Sequence, residues 1–249
     1  MENQNLKLKE AALSFGADLF GAADVKSARK YFLIEPKEIL SDLDYALSIG
    51  VRLSDKVIDS LVNEPTMLYS MHYRRVNYLL DEVVTRLTGL LQKMGYAALP
   101  IPASQVIDFK NQLAHVDHRV VANLAGLGWL GRCGLLVNPE FGARVRYATL
   151  LTNAPLEASK PNAGSCGECK SCLEICPSNA IREKKEDFVR ENCTALLKDF
   201  SKKPGINQMI CGLCVKACKP QGRLASACAP RSHSACAKSQ LSPQPPQGD

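Results

Sequence analysis

From Cys166 to Pro177 the chain reads C-G-E-C-K-S-C-L-E-I-C-P, four cysteines spaced C-x2-C-x2-C-x3-C with a proline directly after. A short turn that carries thiols at Cys166, Cys169 and Cys172 can point all three at one inorganic centre, which is the ligand spacing of a bacterial-type iron–sulfur cluster. A second group, Cys211, Cys214 and Cys218, precedes Pro220, and Cys193 stands between the two groups. Two [4Fe-4S] clusters are the natural count. In two-cluster ferredoxins the last cysteine of such a run serves the other cluster. The expected sets are therefore Cys166, Cys169, Cys172 and Cys218 for one cube, and Cys176, Cys193, Cys211 and Cys214 for the other. That crossing would tie two distant segments together.

Zinc and disulfides are the competing uses of cysteine. A closed zinc site takes four ligands as two separated pairs, whereas here three cysteines crowd into seven residues with a fourth just beyond. A disulfide framework needs an oxidising compartment. The N-terminal stretch Met1-Glu-Asn-Gln-Asn-Leu-Lys-Leu-Lys-Glu10 has no apolar run that reads as a secretory signal, so a cytoplasmic location is expected.

A chain of 249 residues can hold a substantial core plus a smaller second unit. Its hydrophobic content of 46% suits a globular protein, and no run approaches the roughly 18 apolar residues of a membrane span. The formal charge of +6 counts every cysteine as neutral. Clusters held by thiolates are anionic, so the count overstates the basicity. The rest is scattered in short pairs such as Lys184-Lys185 and Lys202-Lys203, an ordinary solvated surface. Nucleic acid and membrane are accordingly not the expected partners; an external electron donor of ferredoxin or flavodoxin type is.

Apolar residues at Val76, Leu79, Leu80, Val83, Val84, Leu87, Leu90, Leu91 and Met94 form the stripe of a packed helix, with Thr66 to cap its start and Gly95 its end. Leu19 to Val25, Tyr45 to Leu53 and Tyr96 to Ile101 read as strands. A further pair, Cys133 to Val137 and Arg144 to Thr152, is expected to form a hairpin across Asn138-Pro139-Glu140-Phe141-Gly142. Without a strict βαβ rhythm, the fold class is α+β. The expected domains are an α+β unit over 1–155, a double-cluster unit over 156–222 and a disordered tail over 223–249, where Cys228 and Cys236 stand outside the cluster pattern.

Gly126-Leu-Gly128-Trp129-Leu-Gly131 is a literal G-x-G-x-x-G, but it follows a predicted helix, His118 to Ala125, and Leu151 stands where a dinucleotide site needs an acid. A helix C-cap running into a tight turn explains the glycines equally well. His115 and His118, three apart, are candidate proton donors. Tyr69, His72, Tyr73, Arg74 and Arg75 gather at the start of the long helix, and Ser104 and Gln105 follow a buried strand where ligand-contacting loops sit. Cys133, next to Arg132, is either a reactive thiol or packing.

Ala125-Gly-Leu-Gly-Trp-Leu-Gly-Arg-Cys-Gly-Leu-Leu136, then Pro139-Glu-Phe-Gly142, then a strand into Thr152-Asn-Ala-Pro-Leu156 and the double cluster motif, resembles the epoxyqueuosine reductase family. That family is related in fold to reductive dehalogenases and nitroreductases. Gly16-Ala-Asp-Leu-Phe-Gly21 is similar, more loosely, to its opening turn. A shorter group of double-cluster proteins of uncharacterised role, in the same superfamily, is the nearer match. The resemblance implies a nitroreductase-like α+β domain followed by a ferredoxin-like double-cluster domain. It also implies that two [4Fe-4S] clusters pass electrons to base-off cobalamin, with Gly126, Gly128, Trp129 and Gly131 beside the cofactor; Ser104 and Gln105 are candidate contacts to it from their place at the end of a strand alone. The family's proton-donor aspartate falls at Gln112, and His118 stands where an acidic partner of Arg119 is expected. Proton delivery therefore passes in expectation to His118 or His115. The function implied is a cobalamin-dependent reductase; the alternative is a non-catalytic electron carrier or reductive activator that docks on a corrinoid protein.

Overall fold

The structure is a computed structural model, and it describes residues 4–108 and 111–219. The expected disordered tail, with Cys228 and Cys236, lies outside the described residues.

Four antiparallel strands form the main sheet in the order β1 (Leu19–Asp24), β2 (Tyr45–Arg52), β6 (Val145–Thr152), β3 (Ala98–Ile101). Alternation along the strands sends two sets of side chains to opposite faces. Leu47 stands opposite Leu150 and Ile49 opposite Ala148, and all four share a core with Leu80, Val83, Val84, Leu87 and Leu91 of α3 (Met67–Lys93) and Leu8 and Ala12 of α1 (Gln4–Ser14). On the reverse face Ala46, opposite Leu151, packs with Val121 of α4 (His118–Leu124) and with Val116 and Ala125 that flank it. Truncating a buried leucine such as Leu87 to alanine would cost about 2–5 kcal/mol.

The long helix begins where expected. The Thr66 hydroxyl accepts from the Tyr69 amide at 3.1 Å, and Gly95, at φ +86°, turns the chain away past the end. The helix reaches a full two turns further back than the apolar stripe alone marks, which brings Tyr69 and Tyr73 onto it.

The expected hairpin of Cys133–Val137 with the long C-terminal strand does not form. Instead β5 (Leu136–Val137) pairs with β4 (Trp129–Leu130), so Trp129 stands in a strand. The Asn138 carboxamide occupies the segment beyond β5 by accepting from the amides of Glu140 and Phe141 and donating to the Leu127 carbonyl at 2.7 Å. This local turn closes on itself, and β6 is left to pair with β2 and β3.

The cysteine-bearing segments hold α5 (Ser171–Glu174), α6 (Arg190–Ser201) and α7 (Leu213–Ala217). They pack partly on the main core, since Ile206, Ile210, Leu213 and Val215 belong to the same apolar cluster as α3, and partly on a smaller cluster of Cys133, Cys172 and Ile181. Arg144 strengthens the seam. Its buried guanidinium bridges Asp55 and Asp59, each at 2.9 Å, on α2 (Asp55–Asp59) and donates to the Lys216 carbonyl at 3.0 Å. Burial opposes ionisation of Asp55, but Arg144 and Arg52 outweigh it and hold the carboxyl below its ordinary range. Among the described residues no helix is long and apolar enough to cross a membrane.

Candidate metal centre and the adjoining polar site

The fold gathers the eight motif cysteines into two neighbourhoods. Cys218 lies close enough to Cys166, Cys172 and Cys169 for each to disfavour its ionisation, and burial, the larger cause, pushes its thiol up to about 11. Burial likewise raises Cys211 to about 11, with Cys193 and Cys176 adding repulsion. Cys214 and Cys176 both pack against the small apolar cluster of Cys133, Cys172 and Ile181. Backbone amides already point at these sulfurs: Ala143 at Cys218, Leu213 at Cys211, and Ala180, Ser178 and Ile181 at Cys176. Such donors stabilise a thiolate. Cys211 and Cys218, which ionise reluctantly alone and have amides aimed at them, stand in a donor set that suits a polynuclear cation which displaces their protons. Among the described residues no three His, Cys, Asp or Glu side chains converge as they would around a single ion. A cluster needs no such convergence, because it spreads its thiolates over several irons.

The glycine-rich turn seats the first cysteine loop. Arg132, just after Gly131, donates to the carbonyls of Gly167 at 2.7 Å, of Cys169 at 2.8 Å and of Glu183. A Cβ on Gly131 would stand 2.6 Å from Val137 Cγ2 and 3.4 Å from Cys166 Sγ, so only glycine lets the loop come this near. Farther along, a Cβ on Gly142 would overlap the Cys218 carbonyl oxygen.

The other glycines of the turn also stand against the chain itself. A Cβ on Gly128 would overlap the Val137 carbonyl, and one on Gly126, at φ +78°, would lie 3.1 Å from the Lys160 carbonyl oxygen. Trp129 is buried beneath Gly164, and its Nε1 makes no hydrogen bond. The Asn123 carboxamide takes the Gly128 carbonyl at 2.8 Å. In the direction a side chain would take, Gly126, Gly128 and Gly131 meet the chain's own atoms, so their close approach is already used within the protein. Ser104 and Gln105 are exposed. A hollow of about 400 Å³ is walled by Asp24, Lys26, Leu124 and Ser159 among others, and neither the glycine turn nor Ser104 and Gln105 line it.

His118 and His115 are also placed differently from expectation. His115 Nδ1 lies 2.7 Å from the Leu33 carbonyl. Both nitrogens of His118 are occupied, Nδ1 at 2.8 Å from Thr149 Oγ1 and Nε2 at 3.1 Å from the Pro102 carbonyl. A carbonyl only accepts, so Nε2 carries the proton and Nδ1 accepts from the threonine hydroxyl. Burial pushes the His118 pKa down to about 4, and nearby Arg146 adds to it. A neutral ring with both nitrogens occupied does not suit an acid that works near neutrality. Of the residues at the start of α3, His72 accepts from the Ser54 amide at 2.9 Å and Arg74 donates to the Ile206 carbonyl at 3.1 Å, both structural bonds.

Tyr69 and Tyr73 do meet a polar site. Their rings pack edge to face at 6.1 Å, Arg146 of β6 lies over Tyr73 at 4.4 Å, and the Tyr73 hydroxyl is 2.9 Å from Ser104 Oγ. The buried Tyr69 also feels Cys214 and Cys211, so it stands between the second set of cysteines and this cation. Arg146 was not singled out by the sequence. Its signal was a lone charge on an otherwise apolar strand.

A tetrachloroethene reductive dehalogenase of Desulfitobacterium hafniense is 27% identical over 204 residues, 79% of this chain and 33% of that protein. Over 62 residues, 25% of this chain, an epoxyqueuosine reductase of Synechococcus sp. (strain CC9605) is 45% identical, covering 19% of its own length. Its homologues are reductive dehalogenases and epoxyqueuosine reductases. The chain spans about a third of the dehalogenase it matches and a smaller share of the epoxyqueuosine reductase. No protein-family model matches. Among solved structures, the epoxyqueuosine reductase of Streptococcus thermophilus superposes with a TM-score of 0.61 at 19% identity over 87% of this chain and 65% of its own. A reductive dehalogenase described as B12-dependent superposes with a TM-score of 0.59 at 22% identity over 71% of this chain and 25% of its own. These likenesses carry the fold: mixed helix and sheet of the kind both groups of enzymes share.

Proposed function

We propose that the chain is an iron–sulfur electron-transfer protein, a reductive activator whose eight motif cysteines hold two [4Fe-4S] clusters and whose Tyr73–Arg146 site faces the group to be reduced. One observation carries the reading: Cys218 is gathered with Cys166, Cys169 and Cys172, and Cys211 with Cys193 and Cys176, across some fifty residues of chain or less. When bound, such clusters supply one-electron transfer. The chain's own residues do the rest. Arg132 fixes the first loop by its carbonyls, leaving Cys169 at the surface where an external donor can approach. Tyr69 fills the space between Cys211, Cys214 and Tyr73 and keeps water out of it. At the far end the Tyr73 hydroxyl, bonded to Ser104, holds an exchangeable proton, and Arg146 favours an anionic group beside it.

The acceptor consistent with the relatives is a corrinoid, and a glycine turn already packed on the chain's own atoms favours one carried by a separate protein over one held in that turn. The second reading, a reductase that holds its own cobalamin, is favoured by the relationship to a B12-dependent dehalogenase fold. Anaerobic purification decides the central point: about eight irons and eight sulfides are expected, with Cys172→Ala losing one cube and loosening the fold. Stoichiometric zinc without sulfide would overturn the reading. A spectral titration of the loaded protein with cobalamin separates the two acceptors, since uptake in a base-off form would establish the second.

A further inference from the structure

Arg146 is the one charged residue of β6, and Val51 stands opposite it on β2. Its guanidinium lies over the Tyr73 ring at 4.4 Å, and its Nε donates to the Asn77 carboxamide oxygen at 3.2 Å. Stacking uses the face of a guanidinium and leaves its in-plane N–H groups directed outward. Among the described residues no hydrogen bond or ion pair engages Nη1 or Nη2. Tyr73, Asn77 and Asp81 follow at every fourth residue along one flank of α3, but Asp81 is engaged by the Ala103 amide at 2.7 Å, and Asp117, next to His118, is engaged by Arg119. A half-buried cation left without a counter-ion is costly to keep.

The hydroxyls of Tyr73 and Ser104 share one bond at 2.9 Å, so whichever of them donates, the other keeps a proton to give. The site therefore offers a planar pair of Nη donors, one hydroxyl donor and one positive charge. A carboxylate answers all three, because its two oxygens meet the guanidinium fork in one plane and its charge is single. A sulfate brings twice the charge that Arg146 can balance. Tyr69 and Asn77 are buried and Arg146 is half-buried, with Ser104 exposed at the mouth, so the donors stand in a recess that suits a small molecule. We propose that the Tyr73–Arg146 recess binds the carboxylate of a small organic acid, held by Nη1 and Nη2 of Arg146 and by the free hydroxyl of the Tyr73–Ser104 pair. The proposal deepens the reading that this site faces the group to be reduced and rests on it in one respect, that the acid docks where the electrons leave.

The test is anaerobic calorimetry of the full-length protein at pH 7 with benzoate, with its neutral analogue benzamide and with sulfate. Benzoate should bind with a Kd of about 1 mM, benzamide and sulfate each about tenfold more weakly. Arg146→Gln, which removes the charge, should weaken benzoate by about tenfold and leave benzamide unchanged. Benzoate that binds no better than benzamide, or no better than sulfate, overturns the proposal, as does undiminished benzoate binding in a folded Arg146→Gln variant. If that variant does not fold, the double variant Tyr73→Phe with Ser104→Ala decides, since it keeps the arginine and removes both hydroxyls. A loss of about threefold in benzoate affinity there sustains the proposal, and an unchanged affinity overturns it. Wild-type protein that takes up benzoate but carries no iron or sulfide would instead sink the iron–sulfur reading and leave the carboxylate site standing.

Discussion

The guanidinium of Arg146 lies 4.4 Å over the ring of Tyr73, at the point where the sheet opens. The pairing of β3 with β6 stops at Ile101 opposite Thr149, which leaves Val145 to Ala148 of β6 without a partner on that side. Past Ile101 the chain turns away through Ser104, which adopts φ 65° and meets the Tyr73 hydroxyl. The early end of one short strand thus creates both the gap and the polar residues that line it.

The stack predicts an ordering of stabilities. Tyr73→Phe removes only the Ser104 bond and should cost about 1 kcal/mol. Tyr73→Leu also loses the cation–π contact and the edge of Tyr69, and should cost about 2–3 kcal/mol. Anaerobic urea titrations of loaded protein measure both; equal costs would show that the ring face contributes nothing.

Glycines should divide sharply. Gly89, inside α3 toward its C-terminal end, has open space where a Cβ would go, so Gly89→Ala should stabilise by about 0.5–1 kcal/mol. Gly128→Ala drives a methyl into the Val137 carbonyl and should destabilise by several times that amount, with iron lost alongside as the hairpin under Arg132 opens. If Gly128→Ala folded normally and lost only cobalamin uptake, the turn would be a ligand cradle after all.

A buried neutral histidine leaves a signature in acid. His118 is at about 4 in the folded protein, below its ordinary 6.5, so between those values the unfolded chain binds a proton that the folded one does not. Its contribution is complete above 6.5 and is lost as pH falls through that window toward 4. His118→Gln should therefore narrow the drop in urea midpoint between pH 7 and pH 5, even if it lowers stability at both. A drop as steep as wild type would mean that His118 titrates normally.

Long-period features were legible in the sequence. The stripe from Val76 to Leu91 marked α3, because it repeats often enough to stand out from chance. Two-residue strands do not, so the pairing of Trp129 with Val137 was missed and a longer hairpin expected in its place. The glycines of the G-x-G-x-x-G were noticed, but not the protein neighbours they let approach. A missing side chain signals close approach without saying to what, and here the close approach is to the chain's own Val137, Lys160 and Cys166. Arg132 and Arg146 carried no periodic signal at all.

Arg132 offers the most demanding test of how the sheet and the cysteine loops are joined. Its guanidinium reaches three carbonyls, those of Gly167, Cys169 and Glu183, with a planar fork whose donors diverge in fixed directions. Lysine keeps the charge and about the same reach but holds a single rotatable ammonium, so Arg132→Lys can satisfy one or two of these carbonyls and leaves the loop from Cys166 to Cys169 loose. The second set, with Cys176, Cys193 and Cys211, makes no bond to Arg132 and should be spared. Iron content is therefore expected to fall toward half, with one EPR signal retained, while the melting of α3 shifts little. Loss of both clusters together would mean that the two sets assemble as one unit, and full retention would mean that the cysteines hold the loop without the arginine.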